Sequence, residues 1–194
     1  MLVRPKPSLC APNEARWTPL TMRRLPGVPP RLQAWLADRG SLTRSIVNAC
    51  RGGFAVDLVS QGHAVALPSE SALLGAGPPQ AMLVREVRLR CDETIWVYAR
   101  TLIPLRSLRG AARGLTKLGR RPLGEVLFSD PTTHRRKIEV ARIQPRHRLY
   151  DAATAHLDLP PKALWGRRTL FDYGGCPILI NELFLPVIPA LGRR

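Results

Sequence analysis

Residues 177–186 read Pro-Ile-Leu-Ile-Asn-Glu-Leu-Phe-Leu-Pro, an almost wholly apolar run closed by proline at both ends. A run this short and this apolar is expected to be a strand buried on both faces. It nevertheless carries a carboxylate, Glu182. An ionised acid in such a strand needs a cation beside it, or else it takes up a proton. Both conditions are typical of catalytic carboxylates. A strand end that reaches solvent, or a structural ion pair, would account for the same residue without catalysis.

The rest of the chain reads as further hairpins. Trp165 to Tyr173 leads through Gly174-Gly175 into the apolar run, and Met82 to Arg90 leads through Cys91-Asp92-Glu93-Thr94 into Ile95 to Ile103. Phe54–Val59 and Ala64–Leu67 are expected as two short strands joined through Gln61-Gly62, and Lys137–Ile143 as another. Helices are expected from Pro30 through Leu36, from Leu42 to about Cys50 behind a Ser41 cap, and over Leu105–Leu118. A short helical turn follows at Pro122–Phe128, while residues 68–80 read as a loop and the stretch after Ile143 as a polar connection. Strands that join mainly as hairpins imply an antiparallel sheet with helices on one side, an α+β layout in a single domain. Residues 1–28, rich in proline and arginine, are expected to be a loosely ordered extension, leaving 29–194 as the domain.

Composition limits the partners. Of 194 residues, 45% are hydrophobic, enough for a real core. No stretch approaches the roughly 20 apolar residues of a membrane helix, and the N-terminus lacks the apolar segment of a secretory signal. Cys10, Cys50, Cys91 and Cys176 are scattered, which reads as reduced thiols in a cytoplasmic protein. His63, His134, His147 and His156 show no metal-ligand spacing, so no metal is expected. The net charge of +16 is spread along the chain and dominated by arginine; its longest run, Arg135-Arg136-Lys137, reads as a solvated turn or strand start. No sequence-specific nucleic-acid motif accompanies it, which leaves at most weak contact with an anionic membrane surface. Phosphate-binding loops, dinucleotide fingerprints and nucleophile elbows are missing too.

Strand parity picks out two arginines. Leu83, Arg85, Val87 and Leu89 share one face, so Arg85 points with apolar neighbours, and its planar fork suits a carboxylate. Arg100 shares a face with Trp96, Tyr98 and Leu102. Each head can alternatively reach solvent along its own aliphatic stem. Together with Glu182, the two arginines outline a carboxylate-binding pocket with an acid/base at one side.

Five segments taken together resemble the chorismate pyruvate-lyase family. They are Val84-Arg-Glu-Val87; Ala99-Arg-Thr101 followed by Pro104; Leu118-Gly-Arg-Arg-Pro-Leu-Gly-Glu-Val-Leu-Phe128; Trp165-Gly-Arg-Arg168; and Asn181-Glu-Leu-Phe-Leu-Pro186. Their order and spacing cover about residues 29–190. The resemblance implies a six-stranded antiparallel sheet with helices on it, an internal ligand pocket under helical flaps, a monomer, and no metal or organic cofactor. It implies conversion of chorismate to 4-hydroxybenzoate and pyruvate for ubiquinone synthesis in the cytoplasm. Carried over by position, Arg85 would hold the ring carboxylate, Leu123 would contribute its main chain, and Glu182 would meet the hydroxyl. Arg100 would serve the hydroxyl and enolpyruvyl side. Leu42 stands at the flap position, where methionine is common in the family. The same fold also resembles the ligand-sensing domain of some bacterial regulators, so the alternative is a non-catalytic module that binds an aromatic acid.

Overall fold

The computed structural model describes residues 13–21, 25–75, 81–108 and 110–192. Residues 1–12 of the expected extension, Cys10 among them, and 76–80 of the expected loop lie outside these. In chain order the elements are β1 (Thr18–Pro19), α1 (Pro30–Ala37), α2 (Leu42–Ala49), β2 (Phe54–Val65), α3 (Pro68–Leu73), β3 (Ala81–Cys91) and β4 (Thr94–Pro104). Two 3-10 stretches follow, Leu105–Ser107 and Gly110–Lys117, then α4 (Leu123–Ser129), β5 (His134–Ile143), α5 (Arg148–Thr154), β6 (Leu164–Tyr173) and β7 (Cys176–Phe184).

One antiparallel sheet runs in the order β1-β5-β6-β7-β4-β3-β2. Two meanders, β2-β3-β4 and β5-β6-β7, are zipped together where β7 pairs with β4. The apolar run at 177–186 thus lies at the centre of the sheet, where its sequence requires cover on both sides. It has that cover, against the expectation of helices on one side only. Trp35, Leu36 and Ile46 of α1 and α2 pack on the front with Val87, Val97 and Phe184. Leu149, Tyr150 and Ala153 of α5 pack on the back with Tyr98, Ile143 and Leu183.

Local chemistry explains most of the elements. Ser41 Oγ accepts from the Arg44 amide and caps α2, whose Leu42, Ser45 and Ile46 form its buried stripe. Gly174 and Gly175 both have positive φ, +56° and +79°, as the two-residue turn between β6 and β7 demands.

Several expectations are corrected. The sheet has seven strands, not six, because Thr18–Pro19 pairs with β5. Residues 13–28 are accordingly not all loose; Ala15, Leu25 and Val28 are buried. The two strands expected over 54–67 are one continuous β2, with a bulge near Ser60 absorbing the irregularity. Part of the expected loop forms α3, started by Pro68 and closed by Glu70, whose carboxylate accepts from the Leu67 amide. The helix expected over 105–118 is two 3-10 stretches. Cys50 and Cys91, expected as free thiols, form a disulfide between the end of α2 and the end of β3, with Cα atoms 5.7 Å apart. Their separation of 41 residues gave no spacing pattern to read.

Candidate active site

Strand register places the site. Leu58, Val87, Ala99, Glu182, Arg167 and Val140 form one rung across the six long strands. The neighbouring rung on the same face runs Gln61, Arg85, Thr101, Ile180, Thr169 and Ile138. Two strand spacings and two residues of rise therefore separate the Cα atoms of Arg85 and Glu182 by roughly 12 Å. Their side chains both line a cavity enclosing about 580 Å3 of atom-free space, mouth included.

The floor is the sheet and the roof is helical. Leu42 and Thr43 at the start of α2, and Leu123, Gly124 and Leu127 of α4, close over the strands. The two roof elements meet tightly: a β-carbon on Gly124 would lie 3.1 Å from both Ser41 Oγ and Thr43 Oγ1. Val87, Leu89, Phe128, Phe171 and Ile180 make the walls apolar and flat-sided. Leu123 and Leu42 both stand in the roof.

Arg85 is 4% exposed. Its Nη2 donates to the main-chain oxygens of Gly119 (2.9 Å) and Arg121 (3.2 Å), while its Nε is buried with no partner among the described residues. Burial lowers its pKa, yet a guanidinium keeps its charge at any physiological pH. A buried cation with a spare donor on a cavity wall is prepared for an anion.

At the other end, Glu182 has the cation its strand required. Arg167 Nε donates to Glu182 Oε2 at 2.7 Å, and the side chains are 2% and 11% exposed. Arg167 Nη1 donates to the main-chain oxygens of Trp35 and Asp38, carbonyls that the end of α1 leaves unpaired. Among the described residues, Glu182 Oε1 accepts no hydrogen bond.

Arg100, expected at this site, is not there. With an unbroken ladder outward from the Asp92-Glu93 turn, Arg100 would stand opposite Arg85. A bulge shifts the register next to Leu89, so Arg85 faces Thr101 and Arg100 faces Glu86 on the back of the sheet. There Arg100 binds Glu86 (2.8 Å) and Glu70 of α3 (3.2 Å). Asn181 Nδ2 also donates to Glu70, and Arg168 pairs with Glu139 at 2.6 Å and with Ser69 Oγ at 3.0 Å. Burial raises the Glu70 pKa against the opposing pull of Arg100. Arg100, Asn181 and Arg168 therefore lie in one polar rung that anchors α3.

Arg167 and Arg135 were missed as cavity residues. Arg167 was legible: counting back from the two-residue Gly174-Gly175 turn puts it directly opposite Glu182. Arg135 was not, because a register shift between Arg135 and Lys137 leaves Arg136 unpaired and brings Arg135 opposite Phe171.

The chain is similar in sequence to known proteins over most of its length. A family model described as "Chorismate lyase" matches residues 11–191. A probable chorismate pyruvate-lyase of Thiobacillus denitrificans is 41% identical over 160 residues, covering 82% of this chain and 85% of that one. One from Aromatoleum aromaticum is 41% identical over 180 residues, covering 91% and 95%. Among solved structures, the C-terminal domain of PhnF superposes with a TM-score of 0.54 at 12% identity, over 75% of this chain and 87% of that one. A GntR-family transcriptional regulator from Bacillus cereus gives 0.51 at 10%, over 73% and 97%. At such identities the structural likeness shows the fold alone. The sequence match runs through both meanders and both roof elements, and on that extent the chain belongs to the chorismate lyase family.

Proposed function

We propose that this protein is a chorismate pyruvate-lyase, cleaving chorismate into 4-hydroxybenzoate and pyruvate. The observation that carries the assignment of residues is the mainly apolar cavity under the helical roof, with a buried, underused guanidinium, Arg85, toward one end and the Arg167-held carboxylate Glu182 toward the other. A flat ring with a carboxylate and a hydroxyl in para positions matches that polarity. In this reading Arg85 binds the ring carboxylate, Glu182 Oε1 meets the ring hydroxyl, Leu123 contributes main-chain contacts, and Leu42 closes the roof.

The chemistry asks for orientation more than for strong reagents. The C3–O bond breaks, its electron pair leaving with enolpyruvate. The C4 proton departs, and the C4–H pair completes the aromatic ring. Returning a proton to the methylene carbon of enolpyruvate gives pyruvate, so atoms and electrons balance with no oxidant. Arg85 and the apolar walls fix the ring, and exclusion of water strengthens every charge contact in the cavity. In this reading Glu182, held by Arg167, meets the substrate next to the carbon that loses its proton.

We further propose that the enzyme works as a cytoplasmic monomer without a metal or organic cofactor, supplying the ring precursor of ubiquinone. Incubating purified protein with chorismate tests the core of this reading. Equal amounts of 4-hydroxybenzoate and pyruvate are expected, with Arg85→Ala and Glu182→Gln losing nearly all of the rate. Absence of product from the wild type overturns the function; full rate in both variants overturns the site.

A further inference from the structure

Chorismate carries a second carboxylate, on the enolpyruvyl arm, that neither Arg85 nor Glu182 serves. Arg100 lies on the other face of the sheet with two carboxylates of its own. The Arg167 Nε and Nη1 groups are committed to Glu182 and to α1. Among the described residues one further cation borders the cavity. Arg135 of β5 lines it, and also lines an open surface concavity of about 1170 Å3, measured like the cavity with open solvent included, that shares Leu127, Phe128 and Phe171 with it. Arg39, Arg136 and Lys137 also line the outer concavity, which makes it basic despite Asp130.

The guanidinium of Arg135 fills the partition between the two spaces. It lies 4.8 Å from the Phe128 ring centroid and 5.1 Å from that of Phe171. Its Nη2 donates to the Gly40 carbonyl, in the loop between α1 and α2, at 2.6 Å. Among the described residues its buried Nε has no hydrogen-bond partner and Arg135 forms no ion pair. The bulge at Arg136 is what turns it onto the cavity face. A half-buried guanidinium set against two mutually perpendicular rings, with no carboxylate at ion-pair distance among the described residues and a wall shared with an exposed basic surface, is built to meet an anion arriving from outside.

We propose, resting on the chorismate reading above, that Arg135 binds the enolpyruvyl carboxylate and that the basic concavity is the mouth through which the dianion is drawn in. Charge that builds on the departing enolpyruvate is then stabilised at the point where that fragment leaves. Burial, with Arg167 and Arg39 nearby, outweighs the pull of Glu182 and Asp38 and disfavours the Arg135 cation, and the second carboxylate offsets that cost.

The distinguishing feature of this role is that the product lacks the group Arg135 recognises. Wild type, Arg135→Gln and Arg135→Lys should be compared for chorismate turnover and, by titration, for 4-hydroxybenzoate affinity. A loss of roughly 100-fold in kcat/KM is expected for Arg135→Gln, with product affinity within about threefold of wild type and Arg135→Lys intermediate. Retained product affinity also reports that the variant is folded, and Arg135→Lys provides the same comparison if the glutamine variant is unstable. Unchanged kcat/KM in a turnover-competent background overturns the inference alone. So does a parallel fall in product affinity, which would make Arg135 merely a latch on Gly40. No turnover by the wild type overturns both readings.

Discussion

Arg167 and Glu182 are directly opposed partners of adjacent strands, joined Nε to Oε2 at 2.7 Å in a setting that leaves the arginine 2% exposed. The pair does two jobs at once. It satisfies a carboxylate that a doubly buried strand could not otherwise carry, and through Trp35 and Asp38 it ties the site to the end of α1. The charge needed for function is thereby also a structural contact, which leads to the first prediction.

Replacing Arg167 with Met strands Glu182 in a low-dielectric environment and should cost about 3–5 kcal/mol in urea unfolding. The double variant Arg167→Met, Glu182→Gln should recover a substantial part of that loss, because it removes the unpaired charge. Additive losses in the double-mutant cycle would contradict the pairing.

Arg85 and Arg100 separate binding from stability. Arg85→Gln should weaken 4-hydroxybenzoate binding by roughly 100-fold, as expected for a desolvated charge pair, with a small change in Tm. Arg100→Gln should lower stability by about 2–4 kcal/mol, since Glu70 and Glu86 lose their shared cation, and leave the product affinity of the folded protein near wild type. Calorimetric titration and thermal melts on both variants distinguish the two patterns.

Gly124 is where α4 and the start of α2 come closest. Gly124→Val should wedge the roof open, raising the product dissociation rate by about tenfold while kcat/KM changes less. Stopped-flow displacement of bound 4-hydroxybenzoate measures it.

Glu139 makes part of the stability dependent on pH. Burial opposes its charge, but hydrogen bonds from Lys137 and Arg168 prevail and hold its pKa below the ordinary 4.5. A carboxylate depressed in the folded state binds fewer protons there than in the unfolded chain, so its contribution is complete above about 4.5 and fades as pH falls through the lowered value. The urea-midpoint difference between wild type and Glu139→Gln should accordingly be largest at neutral pH and shrink below 4.5.

Legibility from sequence followed the regularity of the ladder. Glu182 and Arg85 were found because apolar periodicity and strand parity act within one strand. The β6–β7 hairpin is unbroken from its two-glycine turn, so the Arg167–Glu182 pairing was available by counting. Arg100 was misplaced and Arg135 overlooked for one shared reason: each is governed by a bulge, and an extra residue in one strand reverses the face of everything beyond it. α5 is only seven residues long and its buried Leu149, Tyr150 and Ala153 are too few to stand out as a period. The Cys50–Cys91 link depends on tertiary proximity alone.

The polar rung behind the cavity has an evolutionary consequence. Arg167 and Arg168, Glu182 and Asn181, Thr101 and Arg100, and Arg85 and Glu86 are neighbours in sequence that serve opposite sides of one sheet. Losing or gaining a single residue within any of these strands would exchange a site residue for an anchoring one and damage both together. Change in length is therefore confined to the turns and to the segments beyond the ladder, while the central strands can evolve only by substitution.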